Sequence, residues 1–163
     1  MTKVSFMQLD SFDRHILDLL QRDAQTKVDV IADRVGLSAS AVQRRIRKLK
    51  AENVITGEVV VVNPKAAGNL MTFVAGVEIE RENYEALGRF REWVAQNDNI
   101  QQLYYVTGSL DLVVIILARD TEHYDDISAE MMKAHRQIRR VTTHVVLKSL
   151  KTGLALPLQD EDR

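Results

Sequence analysis

Apolar residues in the first fifty positions recur every three to four residues, which is the spacing of one buried helix face. The pattern predicts three short helices, over residues 9–22, 28–35 and 39–50. Asp10 stands at the start of the first helix and Ser38 directly before the third, and either side chain can cap a helix. The inward-facing residues predict one small core, formed by Phe12, Ile16, Leu20, Ile31, Val35, Leu37, Val42, Ile46 and Leu49.

The second and third helices are joined by a very tight turn. Gly36 can adopt the left-handed conformation that the chain needs just past a helix end. Ala32 is small enough for another helix to cross close by, and Val42 begins the next apolar stripe. This order predicts a helix-turn-helix. The spacing alone is also compatible with an αα-hairpin of a helical bundle that has a basic surface.

The outward face of the third helix carries cations and almost no carboxylate until Glu52. An ordinary solvated helix face mixes both signs, whereas this face suits phosphate, and we therefore predict that it binds DNA. The predicted DNA contacts are Ser38, Ser40, Gln43, Arg44, Arg47, Lys48 and Lys50. Arg45 lies nearer the buried stripe and has two open roles, a backbone-phosphate contact or a salt bridge to the first helix.

The periodicity changes after the third helix. Residues 58–62 are β-branched and predict a strand, which Pro64 stops, and residues 65–70 predict a linker. Alternating and helical spacings then follow in the order strand, helix, strand, strand, helix, strand. The predicted ranges are 71–80, 83–96, 100–107, 110–118, 121–136 and 140–150.

This order of elements is that of a ferredoxin-like βαββαβ unit. We therefore predict an α+β protein with a three-helix helix-turn-helix domain over residues 1–62. A strand linker joins it to a ferredoxin-like domain over residues 63–163.

Two helices can cover only one face of the predicted four-stranded sheet. The apolar run from 112 to 118 is long enough to be covered on both faces. Tyr105, Val106 and Val146 add apolar surface that two helices cannot bury. The second face therefore predicts self-association.

The net charge of −1 does not by itself indicate a nucleic-acid partner, but its distribution is uneven. Residues 1–62 hold 10 Lys/Arg and 8 Asp/Glu, whereas the remainder holds 12 and 15. The chain has no cysteine, no visible signal peptide and no apolar run that could cross a bilayer, which predicts a cytoplasmic protein without membrane contact. The histidines, His15, His123, His135 and His144, have no metal-ligand spacing, and no catalytic motif stands out. We predict no metal, no cofactor and no enzymatic activity.

Several spaced motifs occur between about residue 9 and about residue 157. They are Leu9-Asp10 with Asp13 and Ile16-Leu17; Val35-Gly36-Leu37-Ser38; Arg44-Arg45-Ile46 with Leu49; Ile55 and Gly57; Asn63; and Gly108-Ser109-Leu110-Asp111. In this order they resemble the Lrp/AsnC family, the leucine-responsive and asparagine-operon type regulators of bacteria and archaea. The resemblance implies a transcription regulator whose second domain binds a small effector, usually an amino acid. It also implies dimers that assemble further, often to octamers.

The chain departs from the family pattern at two positions. Leu110 stands where the family commonly has an aromatic residue, which puts the identity of the ligand in doubt, and Lys27 stands where a polar helix cap is expected. Two alternative functions stay open at this point. One is an enzyme that resembles the siroheme decarboxylases, and the other is a chromosome-architectural protein with little sequence preference. The cations of the third helix favour a DNA-binding protein over the enzyme.

The segment from Gly108 to Asp111 permits a structural and a functional interpretation. A hairpin turn needs glycine, and Asp111 could simply cap it. Alternatively, turn N–H groups can hold a carboxylate and Asp111 can pair with an α-ammonium group. With the resemblance we favour the functional interpretation. The predicted effector-binding residues are Thr107, Gly108, Ser109, Asp111, Thr142 and Thr143.

Overall fold

The computed structural model describes residues 8–80 and 84–158. The described chain forms two compact units. The helical unit contains residues 8–60 together with residues 151–158, and the sheet unit contains the residues from 61 to 150. The division expected from the sequence placed the C-terminal residues in the second domain, whereas in the structure residues 151–158 group with the helices.

The helical unit consists of α1 (Ser11–Arg22), α2 (Val28–Val35) and α3 (Ala39–Ala51). Asp10 and Asp13 form a capping box at the start of α1, since each carboxylate accepts the other residue's backbone N–H. Gly36 ends α2 in the left-handed conformation, with φ of 71°. Lys27 begins α2 without a side-chain cap. The three helices and the turn between α2 and α3 agree with the prediction.

The core of the helical unit overlaps the predicted core without matching it fully. Its buried members are Ile16, Leu17, Ile31, Ala32, Val35, Val42 and Leu49. Leu17 and Ala32 are buried although the predicted core did not include them, and three predicted members, Leu20, Leu37 and Ile46, are only partly buried. Phe12, which the periodicity placed inside, is exposed and lies under the guanidinium of Arg45. A cation stacked on the ring thus replaces part of the apolar cover that the core would supply.

The sheet unit follows the predicted ferredoxin-like order. Its elements are β1 (Met71–Ile79), α4 (Tyr84–Ala95), β2 (Ile100–Tyr105), β3 (Leu112–Ala118), α5 (Thr121–Ala134) and β4 (Ile138–Val145). The four strands are antiparallel to their neighbours in the order β2-β3-β1-β4. Asn83, the predicted start of α4, lies outside the described residues. β4 begins and ends earlier than predicted.

Alternate residues of the central strands pack on the two helices. Phe73, Ala75 and Val77 of β1 share one buried cluster with Phe90 of α4 and Met131 of α5. The opposite residues of β3, including Val113 and Ile115, are only half-buried. The predicted cover on both faces of β3 is therefore not present within one chain. The uncovered side is called the open face below.

The register corrects one residue of the predicted uncovered surface. Tyr105 pairs with Leu112, whose side chain is buried on the helix side of the sheet. Tyr105 therefore lies on the helix side of an edge strand, where it remains exposed. Tyr104, its neighbour, pairs with Val113 and lies on the open face.

The linker lacks the strand that its composition predicts. The four valines from 59 to 62 are between 61 and 92% exposed and are not assigned to a strand. β-branched residues favour an extended chain, but a strand forms only where a neighbouring strand completes its hydrogen bonds. In the described part of the chain, no helix is long and apolar enough to span a membrane.

Candidate DNA-binding surface and effector site

The N-terminal end of α3 is fixed by two serines. The hydroxyl of Ser38 accepts the backbone N–H of Ala41 at 3.3 Å and lies 3.1 Å from the hydroxyl of Ser40. This capping satisfies one of the donors that every helix start leaves unpaired. Both serines are exposed and lie at the end of the helix that would enter a DNA groove first.

The cationic residues of α3 are brought together as the sequence predicts. Four of them, with one glutamine, are exposed: Gln43, Arg44, Arg47, Lys48 and Lys50. Lys50 forms an exposed ion pair with Glu58, with 2.6 Å between Nζ and Oε1. Such an exposed pair contributes little to stability, and Lys50 can readily exchange the Glu58 carboxylate for another anion. It therefore does not prevent a phosphate contact.

Arg45 makes the ion pair to the first helix that was one of its two predicted roles. Its Nη1 lies 2.7 Å from Oδ2 of Asp10 and 2.7 Å from Oδ1 of Asp13. The guanidinium carbon is 5.4 Å from the ring centroid of Phe12. Arg45 is half-buried by these contacts, unlike Arg44 and Arg47. The structure thus separates Arg45 from the exposed cations that were predicted to contact DNA.

The two ion pairs that Arg45 forms with Asp10 and Asp13 are called the clamp below, and they change the pKa of Asp10 and of Arg45. Burial by itself raises the pKa of Asp10, but the Asp13 N–H and the Arg45 guanidinium outweigh it, so the pKa lies below its usual value. Hydrogen bonds to Asp13 and then Asp10 raise the pKa of Arg45 further. Sequence reasoning missed the burial of Asp13. The three-residue spacing of two aspartates at a helix start was the available signal.

The connection between β2 and β3 is longer than a two-residue turn. It is closed where the N–H of Val106 donates to the carbonyl of Asp111 at 2.9 Å. The N–H of Asp111 donates to the carbonyl of Val77 at 3.0 Å. Oδ2 of Asp111 accepts the N–H of Ile79 at 2.9 Å. The Asp111 side chain therefore fixes the end of β1 to the turn through Oδ2.

Leu110 lies against Gly76 on the open face. A Cβ atom added at Gly76 would be 2.5 Å from Cδ1 of Leu110. Gly76 therefore leaves room for the Leu110 side chain in its present position, and a larger residue there would require the leucine to move. This contact was not predicted, because no local pattern relates two residues that are distant along the chain.

The remaining predicted effector residues fall into two places. Thr107, Gly108 and Ser109 are exposed in the turn, where Gly108 has φ of 120°. Thr142 pairs with Gly76 and so lies on the open face, near Leu110. Thr143 lies on the helix side, where its hydroxyl is 2.5 Å from that of Tyr124. Adjacent strand residues point to opposite faces, so the two threonines cannot line one pocket.

A helix-turn-helix with a capped, cation-bearing second helix defines a class of DNA-binding protein. Two family models match the chain, the AsnC-type helix-turn-helix domain over residues 9–50 and the Lrp/AsnC ligand binding domain over residues 72–156. The chain belongs to the Lrp/AsnC family of transcriptional regulators. Both domains of the family are present in the expected order.

Relatives and solved structures agree with this assignment. An HTH-type transcriptional regulator of Sinorhizobium fredii is 33% identical, over 94% of this chain and 90% of its own length. The glutamate uptake regulatory protein of Zymomonas mobilis is 28% identical, over 94% of this chain and 93% of its own. An AsnC family regulator of Agrobacterium tumefaciens superposes with a TM-score of 0.85 at 29% identity, covering 92% of this chain and 97% of that one.

A transcriptional regulator of Neisseria meningitidis, solved in complex with L-Met, has the same fold. Its TM-score is 0.84 at 22% identity, over 93% of this chain and 97% of that one. The matched relatives are named as transcriptional regulators. The protein is therefore a regulator and not an enzyme, and the decarboxylase alternative is set aside.

Proposed function

We propose that this regulator recognises specific DNA sequences with α3 and responds to an amino acid bound at the β2–β3 turn. The observation that carries the DNA proposal is the exposed face of α3, which carries four cations between Arg44 and Lys50 on a helix whose N-terminus Ser38 caps. In this proposal Arg44 and Gln43 contact base edges, whereas Lys48 and Lys50 contact phosphates. Arg45 positions α3 through its ion pairs with α1.

The DNA proposal is tested with DNA recovered by in vitro selection from a random duplex pool. Arg44→Ala should weaken binding to the selected sequence by roughly 1–3 kcal/mol if the side chain contacts a base. Lys50→Ala should weaken binding to all DNA sequences about equally, and it should reduce the slope of log affinity against log salt concentration by about 1. Arg91→Ala, which removes an exposed arginine from α4, is the matched control.

Two outcomes would contradict this proposal. If a folded Arg44→Ala, Arg47→Ala double variant binds the selected DNA as tightly as the parent protein, α3 does not contact the DNA. A selection that enriches no sequence, with affinity retained, would favour the chromosome-architectural alternative.

The effector proposal rests on the geometry of Asp111. One carboxylate oxygen is held by the N–H of Ile79, which fixes the charged group in the same turn as the exposed residues Gly108 and Ser109. An α-ammonium group would pair with the other oxygen, and the turn N–H groups would receive the α-carboxylate. The glutamate uptake regulator and the L-Met complex among the similar proteins support an amino acid as the ligand class.

The effector proposal is tested first by a thermal-shift screen against the twenty amino acids, because a bound ligand raises apparent stability. Asp111→Asn then separates the two roles of the side chain. Its amide oxygen still accepts from Ile79, but the charge that pairs with an ammonium group is lost. The variant should remain folded and lose the response. Asp98→Asn, on an exposed aspartate of the same unit, should respond like the parent protein. A full response in Asp111→Asn would place the ligand elsewhere.

We also propose that a second copy covers the open face and that these dimers associate further, up to octamers. The apolar residues on the open face of β3, among them Ile115 and Leu117, are only half-buried within one chain. They support this proposal because burying them fully requires another surface. Ile115→Lys should dissociate the assembly in light scattering. Met132→Lys, on the exposed side of α5, should leave it intact. A parent protein that is monomeric at micromolar concentration would contradict the proposal.

A further inference from the structure

The C-terminal segment of the chain docks on the end of α1. The side-chain amide of Gln21 donates from Nε2 to the carbonyl of Leu156 at 3.2 Å. Its Oε1 accepts the N–H of the same residue at 2.6 Å. Gln21 thus pairs with both main-chain groups of one residue, as a neighbouring strand would. Two residues further on, Leu158 packs against the core cluster of the helical unit.

The docked segment follows directly from the sheet unit. β4 ends at Val145, and the chain is assigned to the sheet unit up to Leu150 and to the helical unit from Lys151. The chain therefore passes between the two units twice. The first passage is the exposed linker at Val60 and Val61, and the second is the junction at Leu150 and Lys151.

We propose that residues 151–158 form a strap, which Gln21 and the helical core hold on the DNA-binding unit of the same chain. The strap gives that unit a second tether in addition to the linker. A domain held by one flexible linker samples many orientations, and a second tether removes part of that freedom. The inference goes beyond the proposed function and needs neither DNA nor an effector to be true.

The strap is bound mainly through its backbone. Leu154 and Leu156 keep 76 and 68% of their surface exposed, so their side chains contribute little to the docking. Two hydrogen bonds at the surface and one half-buried leucine hold the segment. A contact of this size can open locally while the rest of the unit stays folded. The strap is also continuous with β4, which carries Thr142 of the proposed effector site.

Cross-linking tests whether the strap docks on its own chain. The protein has no cysteine, so the double variant Asp18→Cys, Leu156→Cys contains a single pair of thiols and keeps Gln21 unchanged. Residue 18 is one turn before Gln21 on the same side of α1. A short bis-maleimide should link the pair within one chain, and adding Gln21→Ala should reduce the yield. A link found only between chains, as shown by mixing the two single-cysteine variants, would overturn the proposal.

Hydrogen exchange tests whether Gln21 holds the strap. Gln21→Ala should speed exchange of the Leu156 amide by about tenfold or more, because that N–H loses its acceptor. Gln25→Ala, which changes an exposed glutamine in the α1–α2 connection, is the matched control and should leave the rate unchanged. Equal rates in the parent protein and in Gln21→Ala would contradict the assignment.

Fluorescence anisotropy tests the tether itself. A dye on Ala24→Cys, an exposed site beside α1, reports the motion of the helical unit. Both Gln21→Ala and a chain that ends at Leu150 should add a fast component to the anisotropy decay. Circular dichroism checks that α1 to α3 remain folded in both variants. If the shortened chain does not fold, the result for Gln21→Ala alone tests the second-tether role. An unchanged decay in folded Gln21→Ala would overturn the second-tether role.

Discussion

The helical unit and the sheet unit bury very different amounts of apolar material. Among the described residues, the core of the helical unit has seven buried members and no aromatic ring. The cluster of the sheet unit has thirteen, including Phe73, Phe90 and Tyr124. A core as small as that of the helices leaves little stability in reserve.

The smaller unit compensates with polar contacts that join distant parts of the chain. Arg45 connects α3 to the capping box of α1, and Gln21 holds the C-terminal segment. The larger unit can leave its open face uncovered and can keep a buried Nε2 on His135 without a hydrogen-bond partner among the described residues. Both units contain such contacts, since Asp111 also holds Ile79 in the sheet unit. With fewer buried apolar residues, the helical unit should depend more strongly on its polar contacts.

The strongest test of this comparison removes the buried member of the clamp. Asp13→Ala leaves the half-buried Arg45 with one partner, and we expect a loss of about 2–3 kcal/mol in the unfolding free energy. Asp18→Ala removes a more exposed pair with Arg22 and should cost about 0–1 kcal/mol. Urea unfolding monitored by circular dichroism measures both. Similar losses in the two variants would show that the clamp is no more than a surface ion pair.

A second test concerns the packing on the open face. Gly76→Ala places a Cβ where Leu110 now lies, so the leucine must move, at an expected cost of about 1–2 kcal/mol. Adding Leu110→Ala should restore part of that loss, because the two changes share one contact. A double-mutant cycle measures the coupling. Strictly additive losses would mean that Leu110 does not pack on Gly76 in solution.

A third test uses the titration of His135. Burial, and then the charge of Arg89, lower the pKa of His135 below 6.5, its ordinary value. The folded protein therefore favours the neutral ring, while the unfolded chain takes up a proton below pH 6.5. Stability should be full above that pH and decrease as the pH falls towards the lowered pKa. His135→Gln should reduce this dependence, as measured by urea unfolding at a series of pH values.

The smallest effect is expected at the ion pair between Lys50 and Glu58. Glu58→Gln should change the unfolding free energy by about 0–1 kcal/mol, because both side chains are about half exposed. The released Lys50 should bind duplex DNA of any sequence slightly more tightly at low salt. Filter binding at two salt concentrations measures this. A weaker affinity would indicate that Glu58 orients Lys50 towards the phosphate backbone.

Much of the candidate DNA-binding surface could be predicted because its determinants are local. The caps at Asp10 and Ser38, the left-handed Gly36 and the face that carries Arg44 and Arg47 follow from intervals of a few residues. Helix periodicity and capping act over such intervals. The effector candidates were predicted less completely. Strand alternation alone separates Thr142 from Thr143, but the acceptor role of Asp111 depends on Ile79, which is remote along the chain.

The order of the helices and strands, the position of the helix-turn-helix and the charge of α3 can be read from the sequence alone. These features depend on residue spacing and backbone preferences, which neighbouring residues set. The partners of the charged and polar side chains, in contrast, are known only from the folded arrangement of the chain. Arg45 pairs with the carboxylates of Asp10 and Asp13, and Phe12 is exposed beneath its guanidinium. Residues 151–158 belong to the helical unit. Such contacts depend on the approach of distant segments, because an ion pair or a hydrogen bond needs its partner within a few ångströms.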